Sequence, residues 1–500
     1  MSDRVWDVAI VGHGPSGATL ARLLGGMGLS VLVLERETDI YPLPRAIHFD
    51  GEVMRVFETC GLREAVQAIS RPGHVGMHFQ NAEGQTLLIR AGSPVRGPHG
   101  FANNHYVHQP DLERVLRDAV AELDQVQVCL GHEVLDLQED GAGVWLRVQG
   151  PDGATRTEQA RLVVGCDGAR SLVRRHLGST MQDLGLHQPW LVFDILLKAP
   201  VPGLPEHTVQ HCDPARPMTF CNVTGQRRRF EIMLMPGDDP AQIVKADALW
   251  PLVQRWVRPE QADIERAVIY TFHSVIAQGW RRGRLLLAGD AAHQTPPFLG
   301  QGMCAGIRDV ANLAWKLAAV LRGQAPMDLL DSYERERAPH VAAFIELAVR
   351  LGNIIQTTDP QAARERDARF AAGPTEIFQF PAPRLGPGVW QGEHARVAQI
   401  FPQPELAPGH LLDRDIGYRF ALLAEPAWLD AMETTQQAAW RAHGVVLLRA
   451  SSEEARTALA DCEAPAVLLR PDRYVLARVQ HAQDLSALAA WLPAPSLEHA

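Results

Sequence analysis

Residues 5–35 set tighter limits on the fold of this chain than any other stretch. Val5–Val11 (VWDVAIV) is apolar almost throughout, as a central parallel strand must be. It runs into Gly12-His13-Gly14-Pro15-Ser16-Gly17, and the spacing of Leu20, Leu23, Leu24 and Met27 predicts a helix that ends at Gly28. Ser30–Leu34 (SVLVL) reads as a second strand, stopped by Glu35. The G-x-G-x-x-G turn therefore stands inside a complete βαβ unit, with an acid 18 positions after its last glycine. Each part has a task in holding a dinucleotide. Gly12 permits the tight turn, Gly14 lets the backbone approach a pyrophosphate, and Gly17 lets helix and strand pack closely. Glu35 can accept hydrogen bonds from a ribose hydroxyl.

Two later stretches have related form. Arg161–Val173 (RLVVGCDGARSLV) is a strand ending in Cys166-Asp167-Gly168 and then a helix, which puts Asp167 where open α/β sheets bind ligands. Leu285–Leu321 is a buried strand, a turn at Gly289-Asp290, a Pro-rich loop and a glycine-flanked helix start. Val310, Leu313, Ala314, Leu317 and Leu321 give that helix its apolar face. Its unpaired N–H groups and positive dipole end would suit an anionic or electron-rich group. His293, just after the turn, reads as structural.

Between these motifs the patterning changes. In Pro42–Gly61, Arg45, His48 and Asp50 crowd before a helix start, and Asp50 can serve as its N-cap. Gln109 precedes another helix entry in Val107–Leu116. From about 181 to 278, runs such as Trp190–Leu197, Phe230–Met235 and Ala267–Phe272 alternate between Pro- and Gly-rich turns, which predicts an inserted, mostly antiparallel β-sheet. Residues 76–92 look the same. The expected architecture is α/β. It has a Rossmann-like domain from 1–75, 93–180 and 279–370, the inserted sheet domain from 76–92 and 181–278, a linker at 371–410, and a small α/β unit at 411–500.

Composition narrows the partners. A net charge of −10 with no large basic patch argues against nucleic acid. Seven scattered cysteines without a C-x-x-C fit a reducing compartment and neither a disulfide framework nor a zinc site, so no metal is expected. The N-terminus enters a strand directly, and no apolar run reads as long enough to span a membrane. A cytoplasmic protein without a membrane partner is the expectation.

Together, Gly12–Gly17 with Glu35, Cys166-Asp167-Gly168 and Ala288-Gly289-Asp290 resemble the FAD-dependent aromatic hydroxylases, the class A flavoprotein monooxygenases. Within them the chain is most similar to the 3-(3-hydroxyphenyl)propionate hydroxylase and phenol hydroxylase branch. Arg45–Asp50 (RAIHFD), Leu286–His293 (LLAGDAAH) and Gly300-Gln301-Gly302 through Leu317 carry that likeness over residues 5–350. The tail from 411 to 500 resembles their thioredoxin-like domain but lacks its Cys pair. The resemblance implies FAD as cofactor, NADPH or NADH and O2 as co-substrates, a small aromatic substrate, and allows a homodimer. It implies hydroxylation of a phenol through a C4a-hydroperoxyflavin. A Baeyer–Villiger or polyketide-tailoring oxygenase, or a flavin dehydrogenase or reductase, would share the same motifs.

The family's roles fall on matching positions. Gly12, Gly14 and Gly17 would hold the pyrophosphate, and Glu35 with Arg36 the adenosine ribose end. Arg45 and Gln109 would reach the pyrophosphate and ribityl region. Asp167 and Gly168 would serve FAD and NAD(P)H, and Gly289 and Asp290 the ribityl side. Pro296 would lie on the isoalloxazine and take part in catalysis. Gly300, Gly302 and Met303 would face flavin N1 and O2. Asp50 or His48 would act as the base on the phenol. His48, Trp190, His211, Arg216 and Met233 are the candidate substrate contacts.

Overall fold

The computed structural model describes residues 4–42, 45–379 and 381–495. Leu43 and Pro44, in the loop read before His48, lie outside them. The chain begins with β1 (Val5–Val11), α1 (Pro15–Gly26), β2 (Val31–Glu35), β3 (His48–Asp50) and α2 (Gly51–Thr59). A hairpin of β4 (Met77–Gln80) and β5 (Thr86–Arg90) follows. Then come β6 (Asn104–Val107), α3 (Gln109–Ala121), β7 (Val126–Leu130), β8 (Thr155–Gly165) and α4 (Leu172–Leu177). Strands β7, β2, β1, β8 and β14 (Leu285–Leu287) pair in that order, all parallel, and form the body of an eight-stranded sheet. β1 and β2 are buried on both faces, which is why they carry almost no polar residue.

The inserted sheet has nine strands. Its centre is β9 (Thr180–Leu197), β10 (Thr208–His211), β11 (Met218–Asn222), β12 (Arg227–Met233) and β13 (Ala262–Gln278). β15 (His293–Gln294) pairs with β13 at one edge. At the other, β10 pairs parallel with β4. The remaining edge strand is β16 (Glu376–Phe378), which pairs with β5 and comes from the stretch read as a linker. Alternation divides this sheet by face. Leu191, Phe193, Ile195, Val209, Met218, Phe220, Phe230 and Ile232 form one apolar cluster on the outer side. The opposite face carries Asp194, Thr208, Gln210, Thr219, Arg229 and Glu231, all buried.

Two long helices join the layers. α5 (Gly302–Leu321) is buried on nearly every side, and its four charged or amide side chains, Arg308, Asp309, Asn312 and Lys316, are buried with polar partners. α6 (Asp331–Ile355) packs beside it. With the turn before it, Met327–Ile355 is the one helical stretch among the described residues long and apolar enough to cross a membrane, a feature the sequence reading passed over. Its Glu336, Arg337 and His340 are all buried in polar pairs.

The C-terminal unit is thioredoxin-like. Its sheet runs β18 (Val446–Arg449), β17 (Ala421–Ala424), β19 (Ala466–Leu469) and β20 (Val475–Val479), with the first pair parallel and the others antiparallel. Phe420 from this unit meets Trp315 of α5 edge-on, with ring centroids 5.3 Å apart. All seven cysteines are free.

Candidate active site

One cavity of about 960 Å³ lies between the parallel sheet and the polar face of the inserted sheet. That is the upper end of the usual range for small-molecule sites, roughly 300–1,000 Å³. Two helix N-termini open into it. Gly14, Pro15 and Ser16 at the head of α1 line it, and so do Gly300, Gly302 and Met303 at the head of α5. Neither helix has a side-chain cap, so both present bare N–H groups. Such ends attract negative charge.

The glycine turn is shaped as its spacing requires. Gly12 has φ +101°, and a Cβ there would come within 2.4 Å of the Cys166 carbonyl oxygen. A Cβ on Gly17 would lie 2.0 Å from the Gly12 carbonyl oxygen. Nothing lies within 4 Å of a Cβ built on Gly14, so this glycine leaves its space to the cavity. Gly12, Gly17 and Glu35 shape the turn without lining the cavity. The Glu35 carboxylate accepts the His13 and Glu37 backbone N–H groups at 2.7 and 2.9 Å.

Around this turn the other predicted cofactor residues gather. Arg36, Arg45, Gln109, Asp167, Gly168 and Asp290 all line the cavity. Gln109 spends its side chain within the protein: Oε1 accepts from the Arg45 and Ala46 N–H groups at 3.1 and 2.6 Å, and Nε2 donates to Glu113 at 2.7 Å. Its part is to fasten the loop before β3. Asp167 Oδ2 accepts two N–H groups at the start of α4, and its buried Oδ1 has no partner. Asp290 is open to the cavity but enclosed by protein, and that enclosure raises its pKa against the pull of His293 and Arg45. Gly289 sits one step back from the wall. It has φ +64°, a Cβ there would meet Ser16 Oγ at 2.8 Å, and its N–H donates to Asp309.

Several expectations need correction. Pro297 lines the cavity, while Pro296 is buried behind it and heads the short turn 297–299. Of the five candidate substrate contacts, only His48 reaches the wall. Trp190 and Met233 lie on the correct face of the inserted sheet but farther along it. There they join Phe298, Leu351 and Ile355 in an apolar cluster. His211 has the strand parity of the outer-face residue Val209 and packs on Trp256, centroids 4.8 Å apart. Arg216 is held by Asp238 at 2.5 and 3.2 Å.

Asp50 is also not in a position to act as a base. It caps α2 by accepting the Val53 N–H at 3.0 Å, and its other oxygen is taken by Arg308. Burial pushes its pKa up, but the Arg308 charge and the cap outweigh this and hold it below the usual carboxylate value. The pair lies behind the wall. His48 does line the cavity. Its Nε2 is 3.0 Å from Asn104 Oδ1 and its Nδ1 is 3.4 Å from the Gly300 carbonyl oxygen. The shorter contact puts the proton of a neutral ring on Nε2. Burial, helped by the Arg90 charge, lowers its pKa to about 4.

Behind both helix heads runs a buried polar belt that sequence reasoning missed. Arg308 donates to Asp50, to Glu52 at 2.6 Å and to Gln301 at 2.9 Å. Glu52 accepts the Tyr474 hydroxyl at 2.9 Å, and Tyr474 lies 3.2 Å from His340. His340 meets Arg337 at 2.9 Å, and Arg337 donates to Asp309 at 3.0 Å. Asp309 closes the belt by accepting from His293 at 2.6 Å and from the Gly289 N–H at 3.1 Å. His293 is structural, as its sequence context suggested. The contacts that join its segments, Arg308 to Asp50 and Glu52 and Tyr474 to Glu52, span 258, 256 and 422 residues, so no local signal could have assembled the belt.

Comparison with known proteins agrees with this geometry. Residues 5–348 match the family model described as FAD binding domain. The chain belongs to the class A flavoprotein aromatic hydroxylases. It is 38% identical, over 98% of its own length and 94% of the relative's, to a Rhodococcus jostii protein named probable NADH-specific resorcinol 4-hydroxylase. It is 34% identical to a 3-(3-hydroxy-phenyl)propionate/3-hydroxycinnamic acid hydroxylase of Burkholderia vietnamiensis, covering 94% of this chain and 93% of that one. Its fold is shared by aklavinone-11 hydroxylase, solved with FAD and aklavinone. That match has a TM-score of 0.82 at 24% identity and covers 98% and 99% of the two chains.

FAD is the cofactor of this family, and the residues present fit it. The space beside Gly14, the uncapped heads of α1 and α5 and the partnerless Asp167 Oδ1 converge on one cavity. Among the described residues no cluster of three or more His, Cys, Asp or Glu could hold a metal ion.

Proposed function

We propose that this hydroxylase acts on a small phenol and draws its electrons from NADH. The observation that carries this reading is the single cavity. It joins the two anion-favouring helix heads to the polar face of the inserted sheet, so cofactor and ring can share one enclosed space. NADH as donor rests on the name of the relative at 38% identity. On this reading residues 76–92 and 181–278 are the substrate-facing unit.

FAD, when bound, supplies the redox chemistry, taking a hydride from the nicotinamide and activating O2 toward the ring. The chain's residues do the rest. Gly14–Ser16 and Arg45 hold the phosphate end. Gly302 and Met303 aim N–H dipoles at the electron-rich edge of the flavin, where fixed donors stabilise charge without reorganising, while the Gly300 N–H is spent on the Pro297 carbonyl oxygen at 2.7 Å. Pro297, Leu299 and Phe272 supply apolar wall and keep water out. His48 stays neutral at physiological pH and orients rather than ionises.

The test is a panel of phenols, with and without carboxylate arms, scored by stimulated oxidation of NADH and of NADPH against product formed. Incorporation of 18O from O2 into product at a rate matching NADH loss is the expected result. Flavin reduction without labelled product would replace hydroxylation with a reductase activity.

A further inference from the structure

The cavity face of the inserted sheet is polar where its outer face is apolar, and most of its polar groups have partners; Arg266 is ion-paired with Asp194, though its buried nitrogens make no well-directed hydrogen bond. Asp194 is taken by Arg229 at 2.7 and 3.0 Å and by Arg266 at 2.8 Å. Thr208 shares a hydrogen bond with Tyr106 at 2.6 Å, and Thr219 donates to Gln210 at 2.5 Å. Glu231 differs. Among the described residues no hydrogen bond reaches its carboxylate, and its nearest cation is Arg229 at 3.7 Å, already committed to Asp194. Yet Glu231 is only 7% exposed and lines the cavity.

The strand register shows independently where this side chain stands. Glu231 is opposite Thr219 on one side and Val192 on the other, and Gln210 is opposite Thr219. All four line the cavity, so they form one row across the sheet. A buried carboxylate without donors is costly. Its place in this row is explained by a ligand hydroxyl that it receives. The Gln210 amide adds a second contact for such a ligand, since its Nε2 meets only the weakly accepting Met77 sulfur at 3.5 Å.

We propose that Glu231 is the catalytic base of this hydroxylase, accepting the proton of the substrate's phenolic hydroxyl. The assignment rests on the phenol-hydroxylation reading and extends it. The phenol O–H bond breaks, the proton passes to a Glu231 oxygen, and the electron pair stays on the phenol oxygen, activating the ring. The proton returns when the product oxygen is reprotonated, so the carboxylate is restored without a further reagent. Burial raises the Glu231 pKa above the usual carboxylate value, against the pull of Arg229, which makes it a better acceptor than an exposed glutamate. Asp50, with both oxygens occupied, and His48, with its depressed pKa, are poorer ones. The site therefore suits phenols that are neutral in solution and must be ionised after binding.

The test compares wild type, Glu231→Gln and Glu231→Asp as FAD holoenzymes with two ligands. One is resorcinol, neutral at neutral pH. The other is a nitro-substituted phenol already ionised at the assay pH. The first readout is the ultraviolet difference spectrum of bound resorcinol before any turnover. Wild type should show the phenolate band, Glu231→Gln the neutral phenol at equal flavin content, and Glu231→Asp a partial phenolate band. The second readout is hydroxylation. Glu231→Gln should lose on the order of 100-fold or more with resorcinol and much less with the ionised phenol. A phenolate band retained in Glu231→Gln, or equal losses on both ligands, overturns the assignment alone. A wild-type holoenzyme that neither binds nor responds to any phenol overturns the hydroxylation reading with it.

Discussion

Asp50 and Arg308 close on each other behind the cavity wall, the guanidinium holding one carboxylate oxygen while the Val53 N–H holds the other. The pair is buried and Arg308 also serves Glu52 and Gln301. Its role is to fix where α2 and α5 begin relative to each other.

Asp50→Asn should therefore act on stability. Breaking a buried ion pair costs about 3 kcal/mol, seen as a lower denaturation midpoint with an unchanged slope. The pH dependence of hydroxylation in the surviving enzyme should keep its inflection. A displaced inflection would return Asp50 to the role of base.

Gly12 and Gly14 should fail in different ways. Gly12→Ala forces a Cβ against the Cys166 carbonyl at a positive φ, so the protein itself should be destabilised by about 1–3 kcal/mol. Gly14→Val meets no protein atom within 4 Å at its Cβ. It should leave the apoprotein's melting temperature nearly unchanged while the flavin-to-protein absorbance ratio falls at least about tenfold. Full flavin content in Gly14→Val would remove the pyrophosphate from that position.

Glu336 sets a limit at acid pH. Its carboxylate is buried among Arg470, Lys316 and Asn312. Burial pushes its pKa up, but Arg470 and Lys316 outweigh that and hold it near 2, below the ordinary 4.5. The unfolded chain takes up this proton first, so the stabilisation is fully present above about 4.5 and is lost as pH falls toward 2. The amount is about 3 kcal/mol. Burial depresses Lys316 to about 8 in spite of Glu336, opposite to the shift of a stabilised ammonium. Glu336 faces two cations, and their combined charge sets its behaviour at acid pH. Lys316 is protonated in both states across the acid window and adds no slope there. Urea titrations from pH 6 to 3 should show the loss in wild type and not in Glu336→Gln.

His48 should titrate near 4 in an imidazole NMR experiment on the folded protein. Because this lies below the ordinary 6.5, the unfolded chain binds the proton first, and stability falls as pH drops through that interval. An inflection in activity near 6.5 that vanishes in His48→Asn would contradict a neutral, orienting His48.

The parts of this molecule legible from its sequence are those set by short-range geometry. Gly12, Gly14 and Gly17 do what their spacing requires because turn, cradle and close packing all lie within six residues. The inserted sheet was visible in its alternation. Which of its two faces meets the cavity was not, since a period of two leaves that choice to tertiary packing. Hence alternation alone does not separate His211, which faces outward, or Trp190 and Met233, which lie beyond the cavity, from the residues that line it. Asp50 misled for another reason. A helix cap and a catalytic carboxylate share one local pattern, and the deciding partner, Arg308, lies 258 residues away. Adjacent Pro296 and Pro297 show the same limit at the scale of a single residue.

The seam around Glu336 has a consequence for how such a chain can be divided. Arg470 and Asp472 from the tail share its charges with Lys316 and Asn312 of α5, and all are buried. Removing residues 411–500 would strand Lys316 and Glu336 without the guanidinium that balances them and would strip Tyr474 from Glu52. The tail and the flavin-binding body should then melt in one cooperative transition. A gene fusion or truncation at this junction would not be silent: residues 411–495 belong to the folding unit they follow.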